Sequence, residues 1–375
     1  MDQEEHPSIL SDEQIQQFLD DGVLVVDDVL SPDEVSRSLE GLNNTLKRFG
    51  VRSLSVDDEE SARAFSKLSS TNGSGGVLDV FYEPWKMEIA TSPRLFAMTQ
   101  ELWASAYCHN GESKETLPPE EAYRWHPFGC FDYNKGFVYI DRIGYRLPSG
   151  VAQTIGEKLH PERKKKARAL QRSLTPHLDC CPHSMYTDSA KWRPIQCFVS
   201  LTDNLEPSTG GFEAARGFHR EFEDWASHRP PTIISQRDVG GSITEAQTTA
   251  PCVGQYTHVR PKEDRDIMDR VRHVPVKAGS AVFWDNRIPH ANAYKHVGKH
   301  PRCVVYCSFL PDVELNRVYV KNQLSDLLHG KPSRDQWNQI DENYKDRIDV
   351  ESLFKSLPPL GRRLLGIDEW TGDTK

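Results

Sequence analysis

Near residue 126 the spacing of apolar residues changes character, and that change limits the folds open to this chain. Beyond it, short apolar runs (GFVYIDRIGYRLP, PIQCFVSLTD, SAVFWDN, CVVYCSFLP) alternate with Gly, Pro and Asp punctuation. Short β-branched and aromatic runs between turn formers read as the strands of a β-sandwich or barrel. Before the change, helix signatures dominate. LSDEQIQQFLDDG offers Ser11 as an N-cap with Gln14 three later, and LSPDEVSRSLEGL offers Ser31, Pro32 and Glu34. Both are capping boxes, in which the cap side chain and the residue three on satisfy each other's free backbone N–H groups. GVLVVDDVL between them reads as a strand, and PRLFAMTQELWASA as a further helix. Residues 55–75, polar and rich in Ser and Gly, read as a loop that could be mobile. After Pro311 the chain turns polar and helical again, with HGKPSRDQW, DENYKDRI and VESLFKSL.

The expected fold class is therefore α+β with a mainly β core flanked by helices. A single domain over 1–375 divides into a mostly helical part, 1–125, a β core, 126–312, with an insertion at about 230–273, and a helical extension, 313–375. With 37% hydrophobic and 27% charged residues in 375, the chain reads as globular. No stretch reaches the roughly 18 apolar residues of a membrane helix. Neither end carries a secretory, retention or lipidation signal, so a cytoplasmic protein is expected, without membrane insertion. Eight cysteines without a CxxC fit free thiols. A net charge of −9 argues against broad nucleic-acid binding. The basic run from His160 to Arg172 reads as a solvated helix face or loop.

Ferrous iron that must also take oxygen and a bidentate cosubstrate needs open coordination positions. Two histidines and one carboxylate on one face of the ion leave three. In sequence this appears as His-x-Asp/Glu and a distant histidine, because residues two apart on a strand face the same side. With 14 histidines and 55 acidic residues, about two such pairs arise by chance. Three occur: His160-Pro-Glu162, His177-Leu-Asp179 and His219-Arg-Glu221. His160 opens the basic run, and His219 lies where a turn leads into a helix. Only His177 and Asp179 sit in the β-rich centre, which later supplies His290 after the strand SAVFW. Arg302, twelve positions further on, opens the next strand, where a guanidinium can hold the distal carboxylate of 2-oxoglutarate. Cys180 and Cys181 follow the pair directly, but Pro182 ends the strand, so neither is expected to ligate iron.

Four stretches resemble the phytanoyl-CoA dioxygenase-like branch of the Fe(II)/2-oxoglutarate-dependent oxygenases: LSDEQIQQFLDDGVLVVDDVLSPDEV, TPHLD, SLTDNLEPSTGGFEAARGFHREF, and AGSAVFWDNRIPHAN with RCVVYCSF. The resemblance implies a double-stranded β-helix (jelly-roll, cupin-like) and a catalytic domain. It implies Fe(II) held by His177, Asp179 and His290, 2-oxoglutarate anchored by Arg302, O2 as co-reactant, and ascorbate as a support of activity. Asn292 stands where relatives carry a small hydroxyl residue that touches the cosubstrate. The chain departs from the pattern at Gly217-Phe218-His219, where relatives often have Ser-His, and in the long insertion from Pro230 to His273. The implied reaction converts 2-oxoglutarate to succinate and CO2 while a C–H bond of a small organic or lipid-like metabolite is hydroxylated or desaturated. Retention of Asp179 disfavours halogenation, which needs that position free for a halide. Tyr145 is a candidate for the cosubstrate pocket, and Trp192 for the substrate wall. The competing readings are a catalytically silent binding protein of the same fold, a protein- or nucleic-acid-modifying oxygenase, and a zinc hydrolase with the same triad. Arg302 and the absence of HExxH stand against the last.

Overall fold

The computed structural model describes residues 8–107, 113–162, 169–182, 185–187, 189–229, 232–237, 243–248, 256–331 and 349–370. Both capping boxes form. Ser11 starts the helix Asp12–Asp21 and Ser31 starts Pro32–Arg48, each closed by the residue at the third helical position. Gly22 ends the first helix in the left-handed region (φ 65°), where a side chain is strained. The helices Pro84–Ala90 and Pro93–Ala106 complete the N-terminal layer. One expectation fails in this part. Residues 55–75 are not a loop throughout, because Asp58 caps a helix over Glu59–Leu68 that buries Ala62, Phe65 and Leu68. The charged residues that suggested a loop, Glu59, Glu60, Arg63 and Lys67, occupy its outer face.

The strands are β1 (Val23–Val26), β2 (Val77–Leu78), β3 (Gly136–Tyr139), β4 (Ile143–Arg146), β5 (His177–Leu178), β6 (Ile195–Ser200), β7 (Phe212–Ala214), β8 (Thr232–Arg237), β9 (Ile243–Thr248), β10 (Thr257–His258), β11 (Arg272–His273), β12 (Ala281–Asp285), β13 (His290–Asn292), β14 (Arg302–Tyr306) and β15 (Ser308–Pro311). Six form one antiparallel sheet in the order β1-β12-β6-β14-β4-β2, and five form a second in the order β10-β5-β13-β7-β11. The pairs β15–β3 and β8–β9 stand apart, the latter inside the sequence insertion. The strand seen in GVLVVDDVL is β1, which lies along β12 with Val23 opposite Trp284.

Alternation fixes the layers. On the six-stranded sheet, Leu24, Cys197, Val199, Phe283, Cys303 and Val305 turn toward the helices and pack with Phe65, Met87, Leu95 and Trp103. The residues between them, Val23, Phe198, Val282, Trp284 and Val304, turn the other way and meet Leu178, Phe212 and Ala214 of the five-stranded sheet. The ring contacts Phe198–Phe212 (5.5 Å) and Phe212–Trp284 (5.0 Å) join the two sheets. The architecture is thus helices, a six-stranded sheet and a five-stranded sheet in layers. C-terminal helices follow at Glu314–Leu328, Val350–Ser356 and Pro359–Leu364. HGKPSRDQW and DENYKDRI fall almost entirely outside the described residues, as do 163–168 of the basic run. No helix among the described residues is long and apolar enough to cross a membrane.

Candidate metal and anion site

His177 and His290 are register partners on the adjacent strands β5 and β13. Their side chains therefore project to the same face, into the space between the sheets. Strand β5 has only two residues, so Asp179 lies just past its end rather than within it. It nonetheless turns back to the same point. The Asp179 carboxylate lies 3.6 Å from His177 Nε2 and 3.7 Å from His290 Nε2. One ligand atom from each of the three residues falls within 4.8 Å of the others, a spacing that could hold a metal ion.

Backbone contacts set the direction of both rings. His177 Nδ1 bonds to the Thr175 carbonyl at 3.0 Å, and His290 Nδ1 to the Ile288 carbonyl at 2.9 Å. A ring that donates Nδ1–H to a carbonyl carries its lone pair on Nε2, and both Nε2 atoms face Asp179. Burial, and then the nearby His177, push His290 down to about 4, which keeps it neutral and able to ligate. Burial raises the Asp179 pKa, but His177, His290 and Arg193 outweigh it and hold the carboxylate below its ordinary value. Arg193 Nη2 lies 3.8 Å from Asp179, while its Nη1 lies 3.1 Å from Asp141. The donor set therefore fits a divalent transition metal: two neutral imidazoles and one carboxylate, with the rings braced from behind.

Arg302 enters from the opposite sheet. It is 3% exposed and its guanidinium lies over the Phe198 ring at 5.1 Å. Its Nη1 donates to Asn292 Oδ1 at 2.9 Å, and its Nη2 has no partner. Asn292 in turn donates to the Gly75 carbonyl at 2.8 Å. The structure thus brings together five of the residues singled out in sequence: His177, Asp179, His290, Asn292 and Arg302. Asn292 and His290 share a face of β13 because they are two apart.

Tyr145 lies elsewhere. It belongs to the helix-facing side of β4 and packs edge-on against Phe65 at 5.8 Å. The period of two sends its neighbour Arg146 into the inter-sheet space instead. Trp192 is 2% exposed and stacks on His126 (4.6 Å) and Phe128 (4.7 Å), so it is chiefly a core residue. One edge of it still reaches a solvent-open cleft that Asp179, Met185, Lys191, Arg193 and Asn286 also line. Cys180 is buried and free, and neither Cys180 nor Cys181 belongs to the metal cluster. The expectation of free thiols fails at Cys181, which is disulfide-bonded. The rival histidines are structural. His219, 2% exposed, bonds to the Leu19 carbonyl, and His160 caps the helix Ser149–Leu159.

Sequence reasoning missed five residues around the site. Arg193 and Arg146 are single arginines without a motif. Tyr256 stacks on His177 at 4.8 Å from within the insertion. Gly75 and Gly76, in the stretch read as a loop, adopt φ of 70° and 73° next to the site. Two adjacent glycines were the available signal.

The Gig2-like family profile matches residues 240–367, about a third of the chain, rather than the phytanoyl-CoA dioxygenase-like family. No curated protein matches by sequence. Among solved structures, the chain resembles that of GlcNAc Inducible Gene 2 from Candida albicans, with a TM-score of 0.65 and 16% identity over 98% of this chain and 79% of that one. It also resembles the hypothetical protein JW0805 from Escherichia coli, with a TM-score of 0.59 and 16% identity over 96% and 82%. These likenesses establish the fold and nothing of activity. A weaker one, with a TM-score of 0.40 and 15% identity over 80% and 82%, is to the epimerase SnoN in complex with Fe3+, alpha ketoglutarate and nogalamycin RO, and no argument rests on it.

Proposed function

We propose that this protein is an Fe(II)- and 2-oxoglutarate-dependent dioxygenase acting on a C–H bond of a small organic or lipid-like molecule, with hydroxylation or desaturation as the outcome. One observation carries the reading. A triad of two Nε2 atoms and a carboxylate shares the inter-sheet space with a buried guanidinium, and no internal carboxylate pairs with that guanidinium among the described residues. A zinc hydrolase has no use for the second element. The layered antiparallel sheets support a jelly-roll interpretation of the core, with the iron between them.

When bound, the iron would supply oxidative decarboxylation of the 2-oxo acid to succinate and CO2, coupled to oxidation of the substrate. His177, Asp179 and His290 would hold it and leave three positions open. Arg193, 3.8 Å from the Asp179 carboxylate, would help hold it in place. Arg302, oriented by Asn292, pairs the distal carboxylate of 2-oxoglutarate and so sets which end meets the metal. The cavity beside Asp179 would receive the substrate, with Met185 and the edge of Trp192 as its apolar wall. A net charge of −9 favours a small molecule over a nucleic acid. We place the activity in the cytoplasm.

Anaerobic addition of Fe(II) and then 2-oxoglutarate tests this directly. The expected result is a visible charge-transfer band, followed by substrate-independent succinate on admission of air. Iron retention without the band, or succinate formation unchanged in His290→Ala, overturns it.

A further inference from the structure

Arg302 is not alone. Its register partner across β4 and β14 is a second arginine, Arg146. Directly opposed residues of an antiparallel pair carry their Cβ atoms about 5 Å apart and project to one face. Each of the two is 3% exposed. Like charges set opposite each other repel, and a buried cation without a counter-charge is costly, so two such cations in register require an explanation.

Their internal partners do not supply one, because every one is neutral. Arg146 Nη1 donates to the Arg172 carbonyl at 2.7 Å and Nη2 to the Tyr294 carbonyl at 3.4 Å, which leaves Nε without a partner. Arg302 leaves Nη2 without a partner. Among the described residues no carboxylate pairs with either. The backbone also closes over them. A Cβ on Gly76 would stand 2.7 Å from Arg146 Cδ, and one on Gly210 3.0 Å from Arg146 Cγ. Gly75 meanwhile accepts the Asn292 hydrogen bond that aims Asn292 at Arg302. Glycine at 76 and 210 lets main chain approach the Arg146 stem where a side chain would displace it.

We propose that Arg146 and Arg302 together form a two-guanidinium seat for a carboxylate, and that its occupant is a five-carbon dicarboxylate whose far end both arginines hold. The identity of that occupant rests on the iron and 2-oxoglutarate reading above; the seat itself rests on the two buried charges. Arg146 is a specificity-determining residue on this account, and its separate role is to bind the anion whether or not a metal is present.

The test uses the metal-free full chain and glutarate, which has two carboxylates and no 2-oxo group to chelate iron. Calorimetry should show glutarate binding to the wild type, roughly tenfold weaker binding to Arg146→Gln, and binding within about threefold of wild type for Arg146→Lys, which keeps the charge. Mn(II) affinity at the triad should be the same in all three. A folded Arg146→Gln that binds glutarate as the wild type does overturns the seat, and so does a wild type blind to glutarate. Should Arg146→Gln fail to fold, arginine Nε–H resonances of the wild type decide, with the Arg146 signal identified by its loss in Arg146→Lys. That signal should move on addition of glutarate, and an unmoved signal overturns the proposal. Glutarate binding without iron-dependent succinate sinks the oxygenase reading and leaves the seat. Iron-dependent succinate with an unchanged 2-oxoglutarate KM in Arg146→Gln does the reverse.

Discussion

Arg287 and Arg302 are both buried arginines of the chain's β core, 2% and 3% exposed. Their surroundings differ in one respect. Arg287 donates Nε and Nη2 to Asp285 at 2.8 and 2.7 Å, and it also reaches the Tyr123 carbonyl and the Tyr107 hydroxyl. Burial lowers the Arg287 pKa, but Asp285, with Tyr107 and Tyr186, outweighs it and leaves the group well above its ordinary value. Arg302 has Asn292 and an aromatic face, and burial pushes its pKa down. The first cation is answered from within the fold and locks the turn that leads to His290. The second meets no carboxylate among the described residues, which is what the proposed anion-binding role requires.

The comparison can be broken at either end. The largest effect should come from Asp285→Ala, which orphans Arg287 in the core. It should cost about 3–5 kcal/mol in denaturant unfolding, and a loss under 1 kcal/mol would mean that Arg287 too tolerates solitude. Next comes Asp179→Ala. Removing a ligand should weaken Fe(II) retention more than about 100-fold, or about 2.7 kcal/mol, by anaerobic titration, with the metal-free melting temperature little changed. Arg302→Gln should raise the 2-oxoglutarate requirement about tenfold, near 1.4 kcal/mol, with little loss of metal-free stability, since it strands no internal carboxylate and its amide can still donate to Asn292. Destabilisation there on the scale of Asp285→Ala would erase the distinction. The smallest is Gly76→Ala. Its positive φ and the close approach to Arg146 should cost about 1–2 kcal/mol in stability, and the displaced guanidinium should weaken anion binding as well.

Much of this was legible before any coordinates. The capping boxes at Ser11 and Ser31 are local devices in which side chains a turn apart satisfy one another, so sequence spacing states them in full. The same holds for β1 and for the alternation in SAVFWDN. His177 was ambiguous alone and became specific through His290 and Arg302, because a constellation is rarer than its parts. What stayed hidden depends on pairing between distant strands. Tyr145 illustrates this: strand register turns it toward Phe65 and sends its neighbour Arg146 to the opposite face, and that register is set by β14, more than 150 residues away. The helix at Glu59–Leu68 was masked by its polar outer face. Cys181 pairs through a disulfide that spacing does not announce.

The edge position of β1 has a practical side. Val23–Val26 caps β12, whose AVFWD segment would otherwise present a bare, apolar row of main-chain donors and acceptors. Such rows recruit strands from neighbouring molecules. A shortened protein that starts after Val26 would keep every metal and anion residue and still be hard to handle. Its loss of solubility would look like loss of function, although the chemistry at the other end of the sheet had not been touched.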